Sequence, residues 1–320
     1  MKATVLLASL LLCAPASAQS QSAAPAPTAA PKSPAKPKPP IYDEKADGAA
    51  VINAALAKAA KNNRRVLVQW GANWCGWCHL LHEAMASDKD LKREVLYEYD
   101  VVLLDVGRFD ENLDLAAKYG ADIKSGVPYI TILDSTGKPV VNQETGSLES
   151  KEKDKHEHDR AAVLKFLKAN EATPRIADDV LKDGLSRAKT ADKVVFLHFG
   201  APWCGWCHKL EDWMARADVA PTLAKAFIDI KIDVERDKGG KDAFARFNSA
   251  SEKSGIPWFV FLDGDGKVLA TSTGPKGNVG FPAASDEVEH FGAMLKAAGV
   301  SEAEVTTLSV SLRATNGNGQ

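Results

Sequence analysis

Cysteine is scarce in this chain, and its placement excludes a scaffold built on structural disulfides. Five of the 320 residues are cysteine, and four of these lie in two short motifs. Basic residues are not in excess either, since 40 Lys and Arg stand against 42 Asp and Glu. A nucleic-acid-binding surface is therefore not expected, because such surfaces depend on concentrated positive charge.

Long apolar runs are also missing. Val5–Leu12 is too short to span a bilayer, and no other stretch qualifies. With Lys2 before it and Ala16-Ser17-Ala18 after it, this run is typical of a cleaved export signal. No Asn-x-Ser/Thr glycosylation site occurs. The sequence therefore predicts a periplasmic protein, with secretion as the alternative, and no transmembrane segment after signal cleavage.

Two copies of the hexapeptide Trp-Cys-Gly-Trp-Cys-His carry the chemistry. They occupy Trp74–His79 and Trp203–His208, each after a short apolar run and before a segment with helical character. Cysteines spaced i, i+3 at a helix start can close into a small disulfide and reopen. The unpaired N–H groups of the helix stabilise the thiolate of the first cysteine. In an exported chain without structural disulfides, such pairs indicate redox work.

The two motifs belong to a long internal repeat. Pro128 lies 50 residues after Cys78, and Pro257 lies 50 residues after Cys207. An apolar strand and a Gly-containing turn follow each proline, and the two halves keep an offset of 129 residues over most of their length. A repeat of this length is two copies of one domain rather than a solenoid unit.

The predicted fold class is α/β. In each half the order is strand, motif helix, strand, helix, Pro-led strand and hairpin partner, which gives a mixed sheet with helices on both faces. The predicted segments are a signal peptide over 1–18, an Ala/Pro/Lys-rich disordered linker over 19–40, domains over 41–172 and 173–300, and a flexible tail over 301–320.

These features together resemble the thioredoxin superfamily. The shared pattern is Trp-Cys-x-x-Cys at a strand-to-helix junction, then a hydrophobic-Pro pair at a late strand, then a Gly-containing hairpin. The Gly-Trp pair and the trailing His are most similar to small exported thioredoxin-like proteins of bacteria. The resemblance implies two tandem thioredoxin-like domains, each a mixed β-sheet flanked by helices, and a thiol–disulfide oxidoreductase.

The predicted catalytic residues are the four motif cysteines. Cys75 and Cys204 are expected to attack as thiolates at exposed helix N-termini, and Cys78 and Cys207, one turn further in, to resolve the mixed disulfide. No cofactor and no metal are predicted. The expected partners are protein thiols and disulfides, together with an upstream membrane or soluble redox partner.

The residues around the cysteines are expected to bind substrate. The resemblance implies cis peptide bonds before the two prolines, which would face the cysteines, while the backbone before each proline pairs with an extended substrate segment. The first tryptophan of each motif is expected to form a docking surface, with ordinary packing as the alternative. The predicted substrate-binding residues are Trp74, Val127, Pro128, Trp203, Ile256 and Pro257.

One departure from the family concerns the proton acceptor. Thioredoxin has a buried Asp six residues before the first cysteine, where this chain has Gln69 and His198. Gln cannot accept a proton, and His is a different acid. The base that serves Cys78 and Cys207 therefore stays open, and we hypothesise that the two domains differ in function, with equivalent sites as the alternative.

Other classes of protein fit parts of the pattern. Cys-x-x-Cys-His is also the attachment signature of c-type haem, but that interpretation leaves the repeated proline without a role. A zinc site from all four cysteines would require the two motif helices to meet. A thioredoxin-fold binding or chaperone module would leave both cysteine pairs without a use. The Gly-Trp dipeptide between the cysteines favours reduction or isomerisation as the direction of exchange, because strongly oxidising relatives carry a His there.

Overall fold

The computed structural model describes Met1, residues 39–249 and residues 254–317. One unit, Met1–Pro39, lies almost entirely outside the described residues, and a second, Pro40–Gln320, holds every element below. Apart from Met1, the predicted signal peptide lies outside the described residues, as does the predicted linker up to residue 38.

The first half of the second unit forms one four-stranded sheet flanked by helices. β1 pairs with β2 in parallel and with β3 antiparallel, and β3 pairs with β4 antiparallel, so the strand order is β2-β1-β3-β4. The elements are α1 (Gly48–Asn62), β1 (Arg65–Gly71), α2 (Gly76–Ser87), α3 (Lys89–Glu98), β2 (Tyr99–Asp105), α4 (Leu113–Tyr119), β3 (Tyr129–Leu133), β4 (Pro139–Glu144) and α5 (Arg160–Ala169).

The second half repeats this arrangement with strand order β6-β5-β7-β8. A short ribbon of β9 and β10 and a final helix are additions. The elements are α6 (Ala177–Ala191), β5 (Val194–Gly200), α7 (Gly205–Met214), α8 (Ala220–Ala226), β6 (Phe227–Asp233), α9 (Gly240–Phe247), β7 (Trp258–Leu262), β8 (Val268–Thr271), β9 (Thr273–Gly274), β10 (Gly277–Asn278), α10 (Ser285–Ala297) and α11 (Glu302–Gly317).

The two sheets match strand for strand. Gln69 of β1 lies opposite Leu103 of β2, and His198 of β5 lies opposite Lys231 of β6. Gln69 and His198, in the two central strands, are separated by the repeat offset. Leu103 and Lys231, in the two edge strands, are separated by one residue less. The predicted α/β class with two mixed sheets flanked by helices is confirmed. We call the elements around the first sheet the first domain and those around the second sheet the second domain. The boundary at 172/173 stays a prediction.

Each central strand is buried on both faces, as a sheet covered by two helical layers requires. Along β1, Val66, Val68 and Trp70 pack into the cluster that contains α1 and α4 residues, while Leu67 packs with residues of α2, α3 and α5. This double burial explains why the strand reads as a nearly continuous apolar run. Gln69 is a polar exception, fully buried within it.

The predicted flexible tail over 301–320 is wrong for most of its length. α11 covers Glu302–Gly317 and packs on α10, with Leu308 and Leu312 fully buried. The Trp213 indole also donates to Ser311 at 3.2 Å. The chain ends in Asn and Gly, which favour a tail, but Val305, Leu308 and Leu312 share one helical face.

Polar contacts join the two domains at the end of α1 and at α3. The guanidinium of Arg236 donates to both carboxylate oxygens of Glu98, at 2.9 and 2.6 Å. It also donates to the backbone oxygens of Asn62 and Asn63, at 3.0 and 3.1 Å. The Arg236 side chain is 5% exposed, so this ion pair is shielded from solvent. Such a pair fixes one relative placement of the elements that carry it.

Candidate active site

The first cysteine of each motif caps the helix that follows. Cys75 precedes α2, and its Sγ accepts a hydrogen bond from the Cys78 backbone N–H at 3.1 Å. Cys204 does the same before α7 with the Cys207 N–H, also at 3.1 Å. Both pairs are disulfide-bonded. On reduction, a sulfur in this position faces the positive end of the helix, which stabilises its thiolate.

The expectation that Cys75 and Cys204 are exposed is wrong for the disulfide form. Their exposed fractions are 5% and 3%, against 0% and 1% for Cys78 and Cys207. The loop before each proline supplies part of the cover, because the backbone oxygens of Val127 and Ile256 lie 3.5 Å from the outer sulfurs. The outer cysteine is still the more accessible of each pair.

The two prolines lie where the family resemblance implies. The Val127–Pro128 and Ile256–Pro257 peptide bonds are cis. Side chains from the following segment hold these loops: Thr145 Oγ1 donates to the Pro128 oxygen at 2.6 Å, and Asn278 Nδ2 donates to the Pro257 oxygen at 2.9 Å. Because Val127 and Ile256 contact the sulfurs, the predicted backbone site for substrate lies against the cysteines. Its role stays a prediction.

The first tryptophan of each motif is exposed but fixed by its indole N–H. Trp74 is 44% exposed and donates to the Gly107 oxygen at 2.7 Å. Trp203 is 55% exposed and donates to Glu235 at 2.9 Å. An aromatic ring that is half exposed and hydrogen-bonded at one end suits a docking surface. This geometry is compatible with the predicted docking role, which stays a prediction.

The second tryptophans differ between the domains. Trp206 is 56% exposed and stacks on Phe281, with the Lys209 ammonium 5.1 Å from its ring centre. Trp77 instead meets the edge of His158 at 5.3 Å. One tryptophan is therefore available to a partner, and the other is partly packed.

The motif histidines anchor the turn before each cysteine. His79 Nε2 lies 2.9 Å from the Asn73 oxygen, and His208 Nε2 lies 2.9 Å from the Pro202 oxygen. The matching bonds assign them a structural role that both domains share.

Two uncharged side chains, Gln69 and Tyr42, lie beside the inner cysteine of the first domain. Gln69 Nε2 donates to the Tyr42 hydroxyl at 2.6 Å and to the Cys78 oxygen at 3.2 Å. A Cβ atom added to Gly71 would clash with the Tyr42 hydroxyl and lie 2.7 Å from Cys78 Sγ, so tyrosine and sulfur line the same space. Burial raises the pKa of Tyr42 well above its ordinary value. This hydroxyl is therefore a neutral neighbour of the sulfur.

A buried ion pair lies beside the inner cysteine of the second domain. Lys231 Nζ is 2.5 Å from Glu211 Oε1, and both side chains are buried. A Cβ atom on Gly200 would lie 3.2 Å from Cys207 Sγ and 3.6 Å from Lys231 Cε, which places sulfur and lysine around one space. Burial alone would raise the pKa of Glu211, but the charge and hydrogen bond of Lys231, together with His198 and Lys61, outweigh it and hold that pKa below its ordinary value.

His198, which stands where thioredoxin has a buried Asp, also has a carboxylate as its partner. His198 Nε2 lies 3.0 Å from Asp229 Oδ1, and Lys61 of the first domain pairs with Asp229 at 2.7 Å. Burial opposes ionisation of Asp229, but His198 and Lys61 prevail and lower its pKa. The position that carries a buried Asp in thioredoxin is thus occupied by a histidine that faces a carboxylate.

Sequence reasoning missed Tyr42, Lys231 and Glu211. Glu211 carried a usable signal, since it lies four residues after Cys207 and so on the same face of α7. The sequence signal for Lys231 is its positive charge within a largely apolar strand. Tyr42 precedes the first helix, and nothing in its local sequence points to the cysteines.

A groove opens beside the second site only a short distance from Cys204. Its volume is about 510 Å³, and its walls include Ile256, Pro257, Trp206, Asn278 and Phe281. The β9–β10 ribbon forms one side of it. The groove thus continues from the loop that touches Cys204 Sγ.

His158 gives a testable pH dependence in the first domain. The side chain is 2% exposed, and neither ring nitrogen has a hydrogen-bond partner among the described residues. Burial lowers the pKa of His158 to about 4. Between that pH and its ordinary pKa of about 6.5, the unfolded chain binds a proton that the folded chain does not, so stability falls as the pH drops through this window.

His158→Phe should therefore flatten the acid side of the stability profile. The full effect of His158 is about 3 kcal/mol of unfolding free energy between neutral pH and pH 4, by the usual conversion of pKa shifts. Urea titrations at both pH values measure it. His156→Phe, which alters the other histidine beside Trp77, is the matched control. An unchanged profile in His158→Phe would show that the histidine is already charged or paired.

The fold and the site together define the class of protein. Two mixed sheets each present a Cys-x-x-Cys pair at a helix N-terminus, opposite a proline that follows a cis peptide bond, and this is the arrangement of a thioredoxin-like domain. The chain therefore contains two thioredoxin-like domains in tandem. Residues 49–135 match the family model described as "Thioredoxin-like". Residues 162–295 match the model Thioredox_DsbH, described as "Protein of unknown function, DUF255".

Solved structures similar to the chain come from several sources. The disulphide isomerase of Xylella fastidiosa Temecula1 is 28% identical, with 40% of this chain and 95% of that chain covered and a TM-score of 0.35. A structure titled DsbH Oxidoreductase is 22% identical over 35% and 79%, with a TM-score of 0.26. A Thermus thermophilus thioredoxin is 24% identical over 36% and 80%, with a TM-score of 0.28. No curated protein matches the chain.

Two features of the described residues bear on other kinds of site. No helix among them has the length and apolar character needed to cross a membrane. No group of three or more His, Cys, Asp or Glu side chains in the same residues is arranged to hold a metal ion. The haem interpretation is not favoured for a separate reason. Each motif follows a buried β-strand and forms part of a thioredoxin-like domain.

Proposed function

We propose that this protein catalyses thiol–disulfide exchange on exported proteins through Cys75–Cys78 and Cys204–Cys207. The observation that carries the proposal is the placement of the outer sulfurs. Each lies at a helix N-terminus and 3.5 Å from the backbone oxygen before a proline. A sulfur that a helix N-terminus stabilises as a thiolate, and that lies beside the backbone before a proline, suits attack on an extended polypeptide.

The exchange proceeds in two displacements. The thiolate of Cys75 or Cys204 attacks one sulfur of a client disulfide and forms a mixed disulfide with it. The client's own S–S bond breaks, and its other sulfur leaves as a thiolate and takes a proton. The inner cysteine, deprotonated, then attacks the outer sulfur and releases the second client sulfur. The client gains two electrons, and the protein is left with its own disulfide. A dithiol donor, membrane-bound or soluble, must reduce that disulfide again.

The proposed direction is reduction or isomerisation of client disulfides. The Gly-Trp dipeptide between the cysteines supports it, since it lacks the histidine of strongly oxidising relatives. Export is proposed from the N-terminal sequence, in which Lys2, Val5–Leu12 and Ala16-Ser17-Ala18 form a signal-like series. The backbone of Val127 and Ile256, the prolines after them, and Trp74 and Trp203 are proposed to hold the client. The groove beside Ile256 would take client residues that flank the cysteine.

Reduction of insulin tests the proposal. With dithiothreitol as the electron donor, the protein should accelerate precipitation of the insulin B chain over the rate with dithiothreitol alone. The control is the same protein, reduced and then alkylated with iodoacetamide, which blocks the thiols and leaves the sequence intact. Titration of each pair against glutathione gives the direction. Equal rates with native and alkylated protein would refute thiol–disulfide exchange as the function.

A further inference from the structure

We infer that the first domain builds part of the exchange site of the second domain, through the side chains of Tyr97 and Asn62. The inference rests on the proposed function, and it concerns how the exchange site of the second domain is assembled. Tyr97 binds Glu235, which holds the tryptophan beside Cys204, and Asn62 binds the lysine beside Cys207. Both are therefore positioning residues that act across the domain interface.

A single carboxylate connects Tyr97 to Trp203. The Tyr97 hydroxyl donates to one oxygen of Glu235 at 2.6 Å, and the Trp203 indole donates to the other at 2.9 Å. The Arg93 guanidinium lies 4.5 Å from the centre of the Tyr97 ring and orients it. Burial and the charge of Glu235 raise the pKa of Tyr97, so the hydroxyl keeps its proton and remains a donor. The exposed indole beside Cys204 is thus held by Glu235 of its own domain, and Tyr97 of the first domain binds the other oxygen of that carboxylate.

The equivalent tryptophan of the first domain is held locally. The Trp74 indole donates to the Gly107 oxygen at 2.7 Å, and the Arg108 guanidinium lies 5.2 Å from its ring centre. Phe109 packs on it edge to face at 5.8 Å. The partners of Trp74 therefore all belong to its own domain, whereas the carboxylate that fixes Trp203 is also bound from across the interface.

Asn62 completes the surroundings of Lys231. The lysine ammonium donates to Asn62 Oδ1 at 2.7 Å while it pairs with Glu211 at 2.5 Å. All three side chains are buried. An ammonium beside Cys207 favours the thiolate that attacks Cys204 in the second displacement. Asn62 holds the ammonium in place without adding a negative charge that would oppose that thiolate.

The first domain has uncharged counterparts at these positions. Leu103 occupies the place of Lys231, opposite the central strand residue Gln69. His82 follows Cys78 by four residues, as Glu211 follows Cys207. Burial and the charge of His79 lower the pKa of His82, which keeps it neutral near pH 7. The buried Lys231–Glu211 ion pair that Asn62 holds in place is therefore a feature of the second site.

One set of variants measured at each site separately tests the inference. With Cys75→Ser and Cys78→Ser, only the second site can reduce insulin; with Cys204→Ser and Cys207→Ser, only the first can. Tyr97→Phe should raise the KM of the second site for insulin about three- to tenfold with kcat unchanged, as loss of one hydrogen bond allows. At the first site the same substitution should change neither constant, although Tyr97 belongs to that domain.

The thiol pKa of Cys207 provides a readout that needs no client. It is measured by ultraviolet absorbance of the thiolate with Cys75, Cys78 and Cys204 replaced by Ser. Asn62→Leu and Lys231→Met should raise this pKa, while Glu211→Gln should lower it, because it frees the ammonium for the thiolate. If insulin reduction fails altogether, these opposite shifts still test the arrangement.

Two results would overturn the inference. One is an equal loss of activity at both sites on Tyr97→Phe or Asn62→Leu, which would mean that these residues only stabilise the first domain. The other is a Cys207 pKa that does not respond to Asn62→Leu or Lys231→Met. Urea unfolding of each variant confirms that the protein measured is folded.

Discussion

Replacing Cys75 and Cys204 together by Ser should reduce insulin reduction to the rate of dithiothreitol alone. The serine hydroxyl stays protonated at neutral pH even at a helix N-terminus, so neither site can form the mixed disulfide. The fold should be retained, because the sulfurs are packed but contribute no framework between elements distant in sequence. Far-ultraviolet circular dichroism provides that check. Residual catalysis in the double variant would mean that other groups carry the exchange.

Replacement of the inner cysteines gives the complementary result. Cys78→Ser or Cys207→Ser leaves an outer thiolate that can attack but cannot be released, so client proteins should accumulate as mixed disulfides. The different surroundings of the two inner sulfurs, uncharged in the first domain and charged in the second, predict different rates of release and different captured partners. Identical partners and equal reduction potentials would favour two redundant sites.

The sequence was sufficient to predict the fold because its signals are local and repeated. The strand-to-helix motif, the Pro-led strand and the Gly-containing turn each specify backbone geometry within a few residues, and their repetition at a fixed offset excludes coincidence. The cysteines could be assigned to a helix start for the same reason. Leu308 and Leu312 show that composition alone is a poor guide at the C-terminus, because a polar end follows an amphipathic helix.

The surroundings of the inner cysteines could not be predicted in the same way. Tyr42 approaches Cys78 from before the first helix, and Lys231 approaches Cys207 from an edge strand, so both depend on tertiary packing. Asn62 and Tyr97 are further removed, because they belong to the other domain. Contacts between domains have no periodicity or spacing in the sequence to indicate them.

Replacing Arg236 by Met should lower the free energy of unfolding by about 3–5 kcal/mol, the usual cost of removing one partner of a buried ion pair. Arg236 is 5% exposed and Glu98 is 13% exposed, so the remaining carboxylate would be left largely desolvated. The backbone oxygens of Asn62 and Asn63 would also lose a donor. Urea unfolding, followed by circular dichroism, measures the loss.

Two further variants separate the ion pair from a general effect of the substitution. Arg216→Met removes an arginine that pairs with Asp218 on the surface, and it should change stability little, because solvent screens that pair. The double variant Arg236→Met/Glu98→Met should recover much of the loss, since two apolar side chains can replace a buried pair at little cost. A loss in Arg236→Met no larger than in Arg216→Met would contradict the role of Arg236 at the interface. Because the same interface brings Asn62 and Tyr97 to the second site, Arg236→Met should also impair exchange at Cys204 more than at Cys75.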